Sequence, residues 1–151
     1  MSKTVGVTLL AVILVVGSLA FWHERRARTT VRADPADASL VSLGRIIYDK
    51  HCASCHGFKL EGQPDWRARL PSGRMPAPPH DASGHTWHHP DDVLFDITKG
   101  GVQTHAPKGY QSDMPAFGGV LDDSEIWAAL SYIKSMWPPE IRDKHSLMNR
   151  E

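Results

Sequence analysis

Residues 5–22, VGVTLLAVILVVGSLAFW, form an almost unbroken apolar run without a single charge. That length sits at the lower edge of the roughly 20 apolar residues needed to span a hydrocarbon core of about 30 Å. Phe21 and Trp22 close the run, and an aromatic end suits the membrane interface. Two readings compete. One is an uncleaved signal anchor, a transmembrane helix within residues 1–22. The other is a secretory leader, with Lys3 as its charged start and Ser18-Leu19-Ala20 as a small-x-small cleavage site. The anchor is favoured because the apolar run continues past Ala20. Residues 23–38, HERRARTTVRADPADA, are charged and small with no apolar period, and read as a linker.

From residue 39 onward the apolar spacing becomes helical. Leu40, Leu43, Ile47 and Tyr48 predict a helix over residues 39–56, with Ser39 as its cap. Gly44 lies on the same stripe. A glycine inside a helix costs about 1 kcal/mol against alanine, so a close packing contact is expected there. Residues 57–89 carry five prolines and several glycines and predict an irregular segment. A second helix is expected from Pro90 to about Lys99, with Pro90 in its first turn beside Asp91 and Asp92. Gly100-Gly101 ends it. Asp122-Asp123-Ser124-Glu125 has the form of a capping box. Ile126, Ala129, Leu130 and Ile133 then give a buried stripe, flanked by Trp127 and Tyr132, until Pro138-Pro139 stops the helix. Residues 39–137 are thus read as one all-α domain, and residues 138–151 as a loosely ordered polar tail.

Charge narrows the function. The chain has 17 basic and 17 acidic side chains, whereas a nucleic-acid binder carries a basic excess. Five basic groups precede residue 39 against three acidic ones, which leaves the rest mildly acidic.

Cys52-Ala53-Ser54-Cys55-His56 is a C-x-x-C-H run, the signal for covalent attachment of a c-type haem. Two thiols at this spacing add across the two vinyl groups of one porphyrin, and the adjacent imidazole binds iron from one face. A zinc site would need four N or S ligands and normally a second paired motif, yet Cys52 and Cys55 are the only cysteines. A thioredoxin-type pair wants a βαβ setting, and these flanks are helical. One motif means one haem.

His56 leaves one axial position. A thioether there gives a high-potential electron-transfer haem, whereas an open site gives a ligand binder or catalyst. Met114, in the irregular run Ser112-Asp113-Met114-Pro115-Ala116-Phe117-Gly118, is the favoured ligand. Met75, also before a proline, is the alternative; filling a gap in the core is its ordinary role.

CASCH after an amphipathic helix, then SDMPAFGG about sixty residues on, then LDDSEIWAALSYIKSMWP, together resemble the class I cytochromes c over residues 39–137. The resemblance implies an all-α fold with one covalent haem c wedged between helices. The first and last helices would cross near Gly44 and Tyr48 against Trp127, Leu130 or Tyr132. It also implies a proline carbonyl that orients His56, for which Pro78 and Pro79 are the candidates. The Pro-rich loop is longer than in the smallest family members. Haem attachment of this kind is an export-side process in bacteria, which places the domain in the periplasm. Arg25, Arg26 and Arg28 follow the apolar run and oppose that orientation under the positive-inside bias. The haem motif outweighs them.

His80, His85, His88 and His89 fall within ten residues, beside Trp87 and with His105 further on. Imidazoles suit copper or zinc. The favoured reading is a polar loop around the haem propionates, with Trp87 and His88 as donors.

The expectation is one-electron transfer by a His/Met haem c, without enzymatic turnover. The protein would be a single-pass membrane protein with its haem domain in the periplasm, exchanging electrons with redox partner proteins. Two alternatives stand: a haem-based ligand sensor or small peroxidase with a displaceable sixth ligand, and a copper binder built on the histidine loop.

Overall fold

A computed structural model describes residues 32–149. The expected anchor at residues 1–22 and most of the expected linker lie outside the described residues. Among the described residues no helix is long and apolar enough to cross a membrane, and none forms a strand. The helices are α1 (Ala38–His51), α2 (Ala53–His56), α3 (Asp91–Gly100), α4 (Asp123–Ser135) and α5 (Pro139–Met148).

The first cap lies two residues earlier than the sequence suggests. Asp37, not Ser39, begins α1, and its Oδ1 accepts the amides of Ser39 at 2.8 Å and Leu40 at 3.1 Å. A carboxylate outcompetes a hydroxyl here because it also meets the positive end of the helix dipole. The helix does not run unbroken to residue 56. It is interrupted at Cys52 and resumes as the single turn α2, where the amides of Cys55 and His56 both donate to the Cys52 carbonyl.

Gly44 fulfils its expected role. A Cβ built there would fall 1.9 Å from the Ala128 carbonyl oxygen, so only glycine lets α1 and α4 approach this closely. Tyr48 packs beside it, its ring 5.4 Å from that of Tyr132. Ile47, Tyr48, Ile126 and Leu130 are all buried at the crossing. Each such side chain contributes about 1.5–3 kcal/mol through removal from water.

Helix α4 opens with the expected capping box. Asp122 accepts from the Glu125 amide at 2.9 Å, and Glu125 accepts from the Asp122 amide at 2.9 Å. Trp127 and Tyr132 do not merely flank a stripe: every residue from Ile126 to Lys134 is buried. The reason is position. α1 covers one side, and Phe95 of α3 stacks on Trp127 at 4.4 Å on another. The segment before α1 lies along α4 as well. Arg32 lies over the Trp127 ring and pairs with Asp92, and the Asp34 amide donates to Ser131 Oγ at 2.9 Å. The expected linker therefore does not extend to residue 38.

Pro90 caps α3 from outside the helix rather than opening its first turn, and Gly101, at φ 90°, ends it. Asp91 then does more than meet a dipole. Its two carboxylate oxygens accept from Lys134 Nζ at 2.8 and 2.7 Å, and both side chains are nearly excluded from solvent.

The expected loose tail is a docked helix. Pro139 sits in the first turn of α5, and His145 is 1% exposed. Its Nε2 donates to the His89 carbonyl at 2.9 Å, while Asn149 Oδ1 accepts the Asp91 amide at 2.8 Å. Trp137, between α4 and α5, meets the His145 ring edge-on at 4.9 Å. This helix anchors by hydrogen bonds from polar residues, so no apolar stripe marked it.

Candidate haem-binding site

Helix α1 ends at Cys52, the single turn α2 carries Cys55 and His56, and Tyr48 ties α1 to the site by donating from its hydroxyl to the Gly57 carbonyl at 2.9 Å. Neither cysteine is in a disulfide; Cys55 is exposed and Cys52 partly so. Burial, and after it the neighbouring Cys55, push the Cys52 thiol up to about 11. The two side chains remain available for addition to vinyl carbons.

His56 is buried, and its Nδ1 lies 2.8 Å from the Pro78 carbonyl oxygen. The carbonyl can only accept, so the ring proton resides on Nδ1 and the Nε2 lone pair is left for a metal. Burial also lowers the affinity of His56 for a second proton, and the Pro78 bond only partly opposes this. A neutral imidazole of fixed tautomer is the form iron requires.

The Pro78 carbonyl is itself held in place. Gln63 brackets Ala77 through its amide, which donates to the Ala77 carbonyl at 2.9 Å, and its side-chain oxygen, which accepts the Ala77 amide at 2.9 Å. Leu60 is fully buried at φ 65°, and its carbonyl accepts the amides of His80 at 2.8 Å and Asp81 at 3.2 Å. Gly62 and Gly84 press against the Pro78–Pro79 backbone, where a Cβ on either would clash within 2.5 Å or less. Packing and backbone bonds thus define this loop, although its sequence reads as irregular.

The histidines disperse. His80 leaves the cluster and stacks on His56, ring centroids 3.9 Å apart with planes inclined by 22°. His85 stacks on Trp66 at 5.3 Å, His88 stacks on Trp87 at 3.7 Å, and His105 lies 3.3 Å from Asp96. Among the described residues no three His, Cys, Asp or Glu side chains gather to hold a metal ion. The copper site considered from the sequence is not formed there. Trp87 Nε1 is buried without a hydrogen-bond partner. An orphaned donor of this kind suits a carboxylate such as a haem propionate.

Met114 sits half-buried in a loop fixed at both sides. The amides of Phe117 and Gly118 donate to the Thr98 and Lys99 carbonyls at the end of α3, at 3.0 and 2.9 Å. The Phe117 ring meets His51 edge-on at 6.2 Å, one residue before Cys52. Asp113 pairs with Arg74, which joins the Met114 loop to the segment bearing Met75. Met75 is half-buried too, so burial does not separate the two methionines. Sequence reading missed the stacking of His80 and the support from Trp137, because neither contact has a local pattern.

The helical frame, the thiol pair and the oriented His56 define a c-type haem protein. The family model for cytochrome c matches residues 41–137, and the chain belongs to that family as a class I c-type cytochrome. Its cofactor is one covalently bound haem c. The chain is similar to the cytochrome bc1 complex cytochrome c subunits of Mycobacterium tuberculosis and Mycobacterium bovis. Each is 33% identical over 84 residues, covering 48% of this chain and 30% of the relative. The subunit of Mycobacterium leprae is 33% identical over 84 residues, with 29% of its length covered. The chain therefore spans about 30% of the length of these relatives. No solved structure matches the chain.

Proposed function

We propose that this protein is a one-electron carrier. Cys52 and Cys55 hold the porphyrin through two thioethers, and His56 and Met114 are the axial ligands. Bound haem supplies a reversible one-electron change at iron; the chain supplies its ligands, its dry surroundings and its rigidity. The observation that carries the reading is the 2.8 Å bond between His56 Nδ1 and the Pro78 carbonyl, which dedicates Nε2 to a metal. A thioether on the opposite face stabilises the ferrous form and raises the potential. Rigid ligands on packed loops keep reorganisation small when the charge changes.

The apolar run at residues 5–22 anchors the chain in the bacterial cytoplasmic membrane as a single pass, with the haem domain in the periplasm. Confinement at the membrane raises the encounter rate with membrane-bound redox partners. Similarity to subunits of cytochrome bc1 complexes supports a partner in that class of membrane electron-transfer assembly. Transfer needs a brief, small contact rather than a substrate pocket.

Replacement of the sixth ligand tests the assignment. Met114→Ala should lower the midpoint potential by a substantial part of the roughly 0.8 V range that axial ligands control, and Met75→Ala should leave it in place. The reverse result would exchange the two methionines. A wild-type ferrous protein that takes up carbon monoxide readily would instead identify a ligand sensor or peroxidase.

A further inference from the structure

A single hydrogen bond fixes an axis for the His56 ring and leaves the ring free to rock about it. The Pro78 carbonyl supplies that axis through Nδ1 at 2.8 Å. The His80 ring lies on one face of the His56 ring, with centroids 3.9 Å apart and planes 22° from parallel. A ring lying this close against one face of another blocks its rotation toward that side.

His80 is well placed to act as a fixed surface, because its amide, its carbonyl and its Nδ1 are each tied to something else. Its amide donates to the Leu60 carbonyl at 2.8 Å. Its carbonyl accepts from Trp137 Nε1 at 2.7 Å. Its Nδ1 lies 2.7 Å from the hydroxyl of Thr86, which is buried. Trp137 is 2% exposed and is held between α4 and α5. The restraint on His56 therefore extends to the helix frame at Trp137, about sixty residues from His80 in sequence.

We propose that His80 is a positioning residue for the proximal ligand, setting the rotational angle of the His56 imidazole plane above the haem. This rests on the reading of His56 as an axial ligand. The angle of an axial imidazole sets which iron d-orbital it overlaps, and hence the direction of spin delocalisation into the porphyrin. Outer partners of a metal-bound histidine tune the metal in this manner. A flat ring is required because an aliphatic side chain covers only part of the imidazole face.

The test uses the full chain loaded with haem in a host competent in cytochrome maturation. The four haem methyl resonances of the ferric protein are recorded by proton NMR, together with the midpoint potential, for wild type, His80→Phe, His80→Leu and Trp137→Phe. His80→Phe should keep the wild-type order and spread of the methyl signals. His80→Leu should change both and shift the potential, and Trp137→Phe should shift them less in the same direction. A wild-type methyl pattern and potential in His80→Leu would overturn the proposal. So would a Phe variant altered as much as the Leu variant. If His80→Leu takes up no haem, the Phe and Trp137 variants decide by the same criteria. A wild-type chain without covalent haem would instead overturn the function proposed above, which separates the two failures.

Discussion

The α1–α4 crossing and the loop over residues 57–89 solve different problems. At the crossing, side chains and backbone close on one another directly: Gly44 touches the Ala128 carbonyl, and Tyr48 and Ile126 are fully buried. In the loop, the buried residues are few, and the backbone is held by separate hydrogen bonds and by Leu60 in a left-handed conformation. The loop also leaves Trp87 Nε1 unpartnered, and the turn just before it leaves Cys55 exposed. The crossing is complete from protein atoms alone, whereas the loop and the turn before it hold a donor and two thiols that a porphyrin would use. Fold stability and cofactor chemistry are thus assigned to different parts of one small domain, joined at Tyr48, His51 and Trp137.

Damage to the crossing should cost stability and leave the haem's electronic properties alone. Gly44→Ala forces a methyl group into the Ala128 carbonyl, and overpacking against backbone costs about 3 kcal/mol. The thermal midpoint should fall accordingly, while the visible spectrum and midpoint potential of the folded fraction stay at wild-type values. A change in potential equal to that of a ligand-loop variant would show that the two regions are not separable.

A smaller effect sharpens the comparison on the far side of α4. Burial, and after it the Lys134 ammonium, hold the His145 imidazole below its ordinary range. The unfolded chain binds that proton from about pH 6.5 downward, and the folded chain only at lower pH. This contribution to stability is therefore complete above about pH 6.5 and is lost as pH falls toward the folded value, by at most about 1.4 kcal/mol per pH unit. Asp91 on α3, Lys134 on α4 and the His89 carbonyl face the ring. His145→Gln should flatten the acid side of a plot of melting temperature against pH. An unchanged slope would assign the acid sensitivity to His80, His85 and His89, which burial also depresses.

What was legible in the sequence follows the same division. The capping box at Asp122, the glycine at the crossing and the thiol pair are local patterns, and each is realised. The Pro78 carbonyl came through family resemblance rather than through spacing. α5 was not legible, because it docks through His145 and Asn149 rather than through an apolar stripe. The packing of Arg32 and Asp34 on α4 was hidden for a similar reason, since charged residues ahead of a helix look solvated until a partner surface is known. In sequence, His80 groups with the other histidines. The chain turns sharply after Pro79, and the structure carries His80 to His56 and leaves His85, His88 and His89 behind.

The most direct test of a haem held by Cys52 and Cys55 and closed on both faces is the visible spectrum of the reduced full chain, before and after carbon monoxide. A low-spin c-type spectrum that carbon monoxide leaves unchanged is the expected result. A colourless protein, or a spectrum converted by the gas, would contradict the six-coordinate electron carrier.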